Sequence, residues 1–344
     1  MPARAGSAAV FLVASILSGA GLANSEMLSL GDLPGGGIRS AAFGISPEGS
    51  VVVGRSLSAR GDEAFRWEKG EMLGLGDLPG GGFYSEASGS SRLGQVVVGG
   101  AVSTRGPEAF RWSQGRMRGL GDLEGGIFSS VAYAVTPDGR VIVGQGHSEP
   151  GPEAFRWQDG RLEPLGDLPG GAFFSEARAL SADGAVVVGF SVTDAGVEAF
   201  RWSEGKLEAL GDLPGGRRWS KAFGVSADGS VVVGQSHSAR GYEAFIWVDG
   251  KMRSLGDLPG GAVNGLASGV SADGTAVAGQ GFSIRGFEAF LARAGRLLPL
   301  GGFAGTGFSS EGFAISADGT IVVGRSTGAR GSEAFLWQAP AEEN

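Results

Sequence analysis

The sequence predicts an all-β chain folded as a seven-bladed β-propeller of four-stranded blades, the last blade closed by the N-terminal strand. Three observations carry this expectation. The stretch Leu30-Gly31-Asp32-Leu33-Pro34-Gly35-Gly36 returns at 75–81, 120–126, 165–171, 210–216 and 255–261, and in altered form at 300–306, always 45 residues on. The phrase Glu63-Ala64-Phe65 keeps the same beat at Glu108, Glu153, Glu198, Glu243, Glu288 and Glu333. Each period holds four short extended patterns and no helical apolar stripe, which is how a propeller blade reads.

The first 23 residues lie outside the repeat. Arg4 precedes an apolar run at 8–17, and small residues follow up to Ala23, in the order of a secretory signal peptide with Ala23 as the expected cleavage point and Ala20 as the alternative. The apolar run is too short to span a membrane. Residues 24–344 are then the propeller, with blade cores near 38–78, 83–123, 128–168, 173–213, 218–258, 263–303 and 308–337 plus the strand 26–33.

One unit shows why. Phe43 and Ile45 alternate on one side of an extended segment, and Pro47-Glu48-Gly49 turns the chain; elsewhere the turn reads Ala-Asp-Gly, as at Ala227-Asp228-Gly229. Val51-Val52-Val53 is a β-branched run suited to a buried strand. After a loop of about eight residues, Phe65 and Trp67 share a face at period two. Lys69-Gly70 makes a second tight turn before residues 71–75. Residues 26–30 nearly copy 71–75, a fourth strand, and the repeat stops after the third strand at Trp337. Pairing the two completes the last blade and removes exposed edges. A column of seven Phe and a column of Trp67, Trp112, Trp157, Trp202, Trp247 and Trp337, with Ala292 as its gap, are the expected packing between blades.

Composition narrows the function. There are 66 glycines in 344 residues, but no Gly-X-Y period, and 42% of residues are hydrophobic, so the glycines are turn residues of a folded chain. No cysteine is present, which excludes disulfides and thiolate metal sites. The formal charge of −8 argues against nucleic acid or an anionic membrane as partner.

These units resemble the HAF family of extracellular bacterial repeats, named for a His-Ala-Phe motif. The resemblance rests on Leu-Gly-Asp-Leu followed by Gly-Gly, on the Ser-Ala-Asp-Gly-Ser-Val-Val-Val-Gly of residues 226–234, and on Glu-Ala-Phe-x-Trp, and it covers 26–337. Glu replaces the naming His in every unit, so any role tied to that imidazole is in doubt. The resemblance implies an exported repeat protein and no reaction.

The recurring acids read as structural. The Glu63 column is expected to accept loop N–H groups or to pair with an arginine such as Arg60, and the Asp32 column to satisfy the turn before Pro-Gly-Gly. No Asp-x-Asp cluster offers a calcium site, so neither metal nor cofactor is expected. Serines lack a Gly-x-Ser-x-Gly elbow, and near-identical blades supply few of the unlike groups catalysis needs, so no catalytic residue is named. Variation concentrates where the second–third loop and the interblade crossing meet, the face of the longer loops. One mixed column is Arg39, Tyr84, Ser129, Phe174, Trp219, Asn264 and Ser309; another contains His147 and His237. Arg60, Arg105, Arg240, Arg285 and Arg330 lie close by. Arg39, Tyr84, Phe174, Trp219, Asn264, the five arginines and the two histidines are therefore the candidate ligand-binding residues, able to stack on sugars or grip a peptide. Unconstrained drift in loops would produce the same variation. The expected function is a secreted or periplasmic, monomeric, non-catalytic propeller binding an extracellular glycan or protein. A hydrolase or lyase acting on polysaccharide or lactone in the central channel, and a purely structural cell-surface component, are the alternatives.

Overall fold

The computed structural model describes residues 26–305 and 307–340. The expected signal peptide lies outside the described residues. Every regular element except one 3-10 turn, Arg92–Gly94, is a strand. The first strand, β1 (Met27–Ser29), is followed by a four-stranded unit, β2 (Gly35–Ile45), β3 (Val51–Ser58), β4 (Gly61–Glu68) and β5 (Glu71–Gly74). Five further four-stranded antiparallel arrays follow in sequence order, and the chain ends on Ser309–Ile315, Ile321–Gly328 and Gly331–Gln338. β1 lies antiparallel on that last strand, with Met27 opposite Trp337 and Ser29 opposite Phe335. A parallel bridge, Arg39 to Ser332, joins the last unit to the first.

The turns follow from local chemistry. Lys69 and Gly70 both have positive φ, 52° and 88°, the two-residue hairpin whose twist suits the flanking strands. Val-Val-Val-Gly ends in glycine because a Cβ on Gly54 would stand 1.9 Å from the Ala41 carbonyl oxygen. One expectation is corrected: the second–third connection is not long. β3 and β4 pair over their whole lengths, from Val51 opposite Glu68 to Ser58 opposite Gly61, leaving only Ala59 and Arg60 in the turn. Ser58 holds it, its hydroxyl donating to the Gly61 carbonyl and accepting the Arg60 N–H, both at 3.2 Å. The one long connection is the crossing between units.

Units are joined by three repeated devices. Each phenylalanine of the column packs against the preceding unit: Phe110 against Val51, Val53 and Ala64, and Phe65 against Val323 and Ala334 of the last unit. All seven are fully buried, whereas the tryptophans are half-buried except Trp337, which is 1% exposed. Ala339 packs on the Trp337 cluster, cover that the other tryptophans lack. A buried serine is the second device. The Ser85 hydroxyl donates to the Gly76 carbonyl at 2.6 Å and accepts the Ala64 N–H at 2.9 Å, and Ser40 does the same for Gly31 and Ala334.

The third is a belt through the first–second turns. Arg92 donates to the Pro137 carbonyl, Ala182 to Ala227, Ala227 to Ala272, Ala272 to Ala317, and Ala317 to Pro47 in the first unit. Two links are missing for a covalent reason: their donors would be Pro47 and Pro137, which have no N–H.

Candidate binding site at the channel mouth

The first strands of all the units gather round one cavity of about 630 Å³. In the unit spanning 220–225, burial alternates strictly: Ser220, Ala222 and Gly224 face the sheet packing, and Lys221, Phe223 and Val225 are half-exposed. Trp219 continues that series at the mouth, so the mixed column starting at Arg39 is the outermost ring of a deeper lining. The next rings inward are Ala41, Glu86, Val131, Glu176, Lys221, Leu266 and Glu311, then Phe43, Ser88, Tyr133, Arg178, Phe223, Ser268 and Phe313. The sequence reading missed these two rings, although they break an otherwise uniform repeat at period two from the column it chose. The expectation that the units supply little chemical asymmetry is corrected here.

The lining divides into distinct clusters. Around the first unit, Arg55 pairs with Glu86 at 2.9 Å and donates to the Tyr84 hydroxyl at 3.0 Å, while Arg39 pairs with Asp62 at 2.7 Å. Burial pushes the Glu86 carboxyl up despite the Arg55 charge, and pushes Tyr84 up as well. In the third to fifth units, Arg178 pairs with Glu176 at 2.9 Å and its guanidinium lies 4.2 Å from the centre of the Tyr133 ring. Burial, with the nearby Glu176 charge, drives the Tyr133 hydroxyl to about 12. Lys221 extends over Phe190 at 3.9 Å, with Trp219 5.5 Å away, and burial lowers its pKa. Phe174 stacks on Phe190, their centres 5.9 Å apart, and Trp219 meets Tyr242 edge-to-face at 4.9 Å. Gln280 presents a buried side-chain oxygen with no hydrogen-bond partner in the same cavity.

The remaining predicted residues are placed as follows. His237 meets Tyr242 edge-to-face at 4.9 Å, beside Trp219, so the structure brings these three together. His147 sits in another unit with Nδ1 3.1 Å from the Ser129 carbonyl oxygen. Asn264 lies 3.5 Å from the Gln235 amide nitrogen. The five arginines occupy the two-residue turns, and each pairs with the glutamate three residues on. Arg60, Arg105 and Arg285 also cover the rings of Phe83, Phe128 and Phe308 at 4.3, 3.9 and 3.8 Å. Their guanidinium groups are thus engaged within the frame. Tyr242 and Arg217 were not singled out from sequence. The available signal was a third mixed column, Asp62, Pro107, Pro152, Val197, Tyr242, Phe287 and Ser332.

The two acid columns are structural. Glu63 is buried, accepts the Gly76 N–H at 3.0 Å and takes the Arg60 charge at 3.2 Å, both as expected. Burial would raise the Glu243 carboxyl, but hydrogen bonds from Arg240, Ser238 and Ser254 and the Arg240 charge outweigh it and hold it at about 2. The Asp32 column reaches further than its own turn. Asp77 accepts the Leu78 N–H at 2.8 Å and the Tyr84 N–H at 3.1 Å, which fastens the crossing chain to the mouth residue itself. Among the described residues, no three His, Cys, Asp or Glu side chains converge as a metal site, and no helix is long and apolar enough to cross a membrane.

No family model and no curated protein matches the sequence. Solved structures do. The β-propeller domain of the Trilobed protease from Pyrococcus furiosus, described as having an open velcro topology, superposes with a TM-score of 0.58 at 12% identity, covering 87% of this chain and 92% of that one. TolB from Acinetobacter baumannii gives 0.51 at 13% identity, covering 85% of this chain. The chain spans 65% of the length of that TolB. At such identities the likeness shows the fold alone: the chain is a β-propeller.

Proposed function

We propose that this is an exported, non-catalytic, monomeric binding propeller that takes a glycan or a protein at the mouth of its channel. Seven blades form its ring, residues 26–33 complete the last of them, residues 1–23 are its signal peptide, and its units belong with the HAF-type repeats. The β1 pairing and the Ala317 to Pro47 hydrogen bond support closure, in contrast to an open velcro. The observation that carries the binding reading is the contrast between uniform devices that join the units and unlike residues that line the mouth. A repeat kept in register over 45-residue steps varies in chemistry where its strands converge. The cationic and aromatic side chains there suit stacking and charge recognition.

A second reading is favoured by one observation. Glu86 and Tyr133, which line the cavity, are pushed up, and Lys221, on a first strand beside it, is pushed down, the separation of proton affinities that a hydrolase or lyase acting on polysaccharide or lactone would use. Glycan-array and pull-down screening of the protein, with turnover assays on each glycan bound, separates the two. Binding without turnover is expected. Turnover that is lost in Glu86→Gln would replace the binding reading by the enzymatic one, and no captured ligand of either class would remove it.

A further inference from the structure

One blade departs from the others in charge. The crossing strand of the fifth unit reads Arg217-Arg218-Trp219-Ser220-Lys221, three cations in five residues of a chain whose net charge is −8. The equivalent stretches are Gly37-Ile38-Arg39-Ser40-Ala41, Gly82-Phe83-Tyr84-Ser85-Glu86, Ala172-Phe173-Phe174-Ser175-Glu176 and others that are neutral, singly charged or acidic. Arg218 is explained by the frame. The preceding unit has Asp194-Ala195 where five others have an arginine turn, and Arg218 supplies the positive charge beside Glu198. Arg217 and Lys221 have no such account.

Neither forms an ion pair with a carboxylate within 4 Å among the described residues. Arg217 rests against the Tyr242 hydroxyl and ring, and Lys221 lies over Phe190 beside Trp219. The Lys221 ammonium is partly desolvated with an acid neighbour, Glu176, that Arg178 already neutralises. Two cations held by rings instead of counter-ions, with a half-buried indole between them in sequence, form a surface whose missing component is an anion. We propose that the fifth blade binds an anionic saccharide, its sugar ring carried on Trp219 and its carboxylate or sulfate groups met by Lys221 and Arg217. The choice of saccharide over acidic peptide follows from the rings. A half-buried indole, set edge-to-face against Tyr242 and flanked by fixed cations, matches a stiff chain of rings with charge at regular intervals, whereas a peptide carboxylate needs no ring to stack on.

This inference rests on the binding reading and names its ligand class. The test is calorimetric titration of the protein with oligogalacturonate, with its methyl ester, with chondroitin and its sulfated form, and with poly-glutamate. Oligogalacturonate is expected to bind, with affinity falling as salt rises, and the neutral ester to bind roughly 10-fold or more weakly. Lys221→Met and Arg217→Gln should each reproduce about that loss, and Lys251→Met, an exposed cation on an outer strand, should not. The chondroitin pair tells whether sulfate adds to carboxylate, and sulfated chondroitin binding the tighter supports the assignment equally. Equal binding of acid and ester, or full binding by Lys221→Met with an unchanged melting curve, overturns it. Poly-glutamate binding more tightly than every saccharide overturns the saccharide assignment. Neutral glycans that bind through Trp219 sink this inference and leave the binding propeller standing.

Discussion

The face of the first–second turns and the mouth of the channel are built from the same 45-residue repeat, yet only one of them has kept its units alike. At the turns, Asp138, Asp183, Asp228, Asp273 and Asp318 each accept a hydroxyl from the residue two before, and the backbone belt links one turn to the next. Hydrogen bonds from Ser226 and Ser230 bring the exposed Asp228 carboxyl to about 2. At the mouth, positions with the same backbone carry Arg39, Tyr84, Phe174, Trp219 and Asn264. The difference teaches where the constraint lies. A side chain that satisfies its neighbour's backbone is fixed by the geometry of the repeat, and one that faces the cavity is free of that constraint.

The largest loss of stability is expected from changes in the frame. Phe155 is fully buried among Val96, Val98 and Ile142, and Phe155→Ala should lower stability by about 3–5 kcal/mol. Chemical denaturation measures this, and a loss below about 1 kcal/mol would show that the column is not what joins the units. The serine staple comes next. Ser175→Ala strands the Ala154 N–H, bonded at 2.9 Å, and the Gly166 carbonyl, bonded at 2.6 Å. The expected cost is about 2 kcal/mol by the same measurement.

Glu243 gives a pH-dependent effect. Its folded carboxyl lies at about 2 against an ordinary value of 4.5, so its contribution is complete above that ordinary value and disappears as pH falls toward 2. Glu243→Gln should flatten this part of the acid limb by on the order of 2 kcal/mol between pH 5 and pH 2, read from denaturation midpoints across that window. An acid limb identical to that of the parent would mean the carboxylate is no better held in the folded chain than in the unfolded one. The smallest effect is expected at the belt. Ala227→Pro removes one donor at a position where two units already carry proline. The lost hydrogen bond and the stiffer unfolded chain should nearly offset each other, leaving a change within about 1 kcal/mol.

Much of the frame was legible because its signals are local or periodic. Asp-Gly and Lys69-Gly70 mark turns by backbone preference alone, and the partners of Glu63 lie within one unit of sequence. The second–third turn was misread because Ser58-Ala59-Arg60-Gly61 carries no turn signal as strong as Asp-Gly, while the strands on either side pair to their ends. The Trp column was read as core because periodicity tells which residues share a face and not how much of that face is covered, and only Trp337 is covered. The channel was the hardest part. Glu86, Tyr133 and Arg178 lie in different units, 45 to 92 residues apart in sequence, and nothing local says that they face one cavity. That convergence appears only once the first strands are set around the cavity.

If recognition belongs to the mouth and stability to the frame, the two separate in one paired measurement. Glycan-array binding is compared for the parent protein, for Tyr84→Ala with Trp219→Ala, and for Asp183→Ala with Asp228→Ala on the turn face, after confirming that all three melt cooperatively. The mouth variant is expected to lose the parent's signal and the turn variant to keep it. A signal that survives at the mouth variant, or vanishes with the turn variant, would contradict this separation.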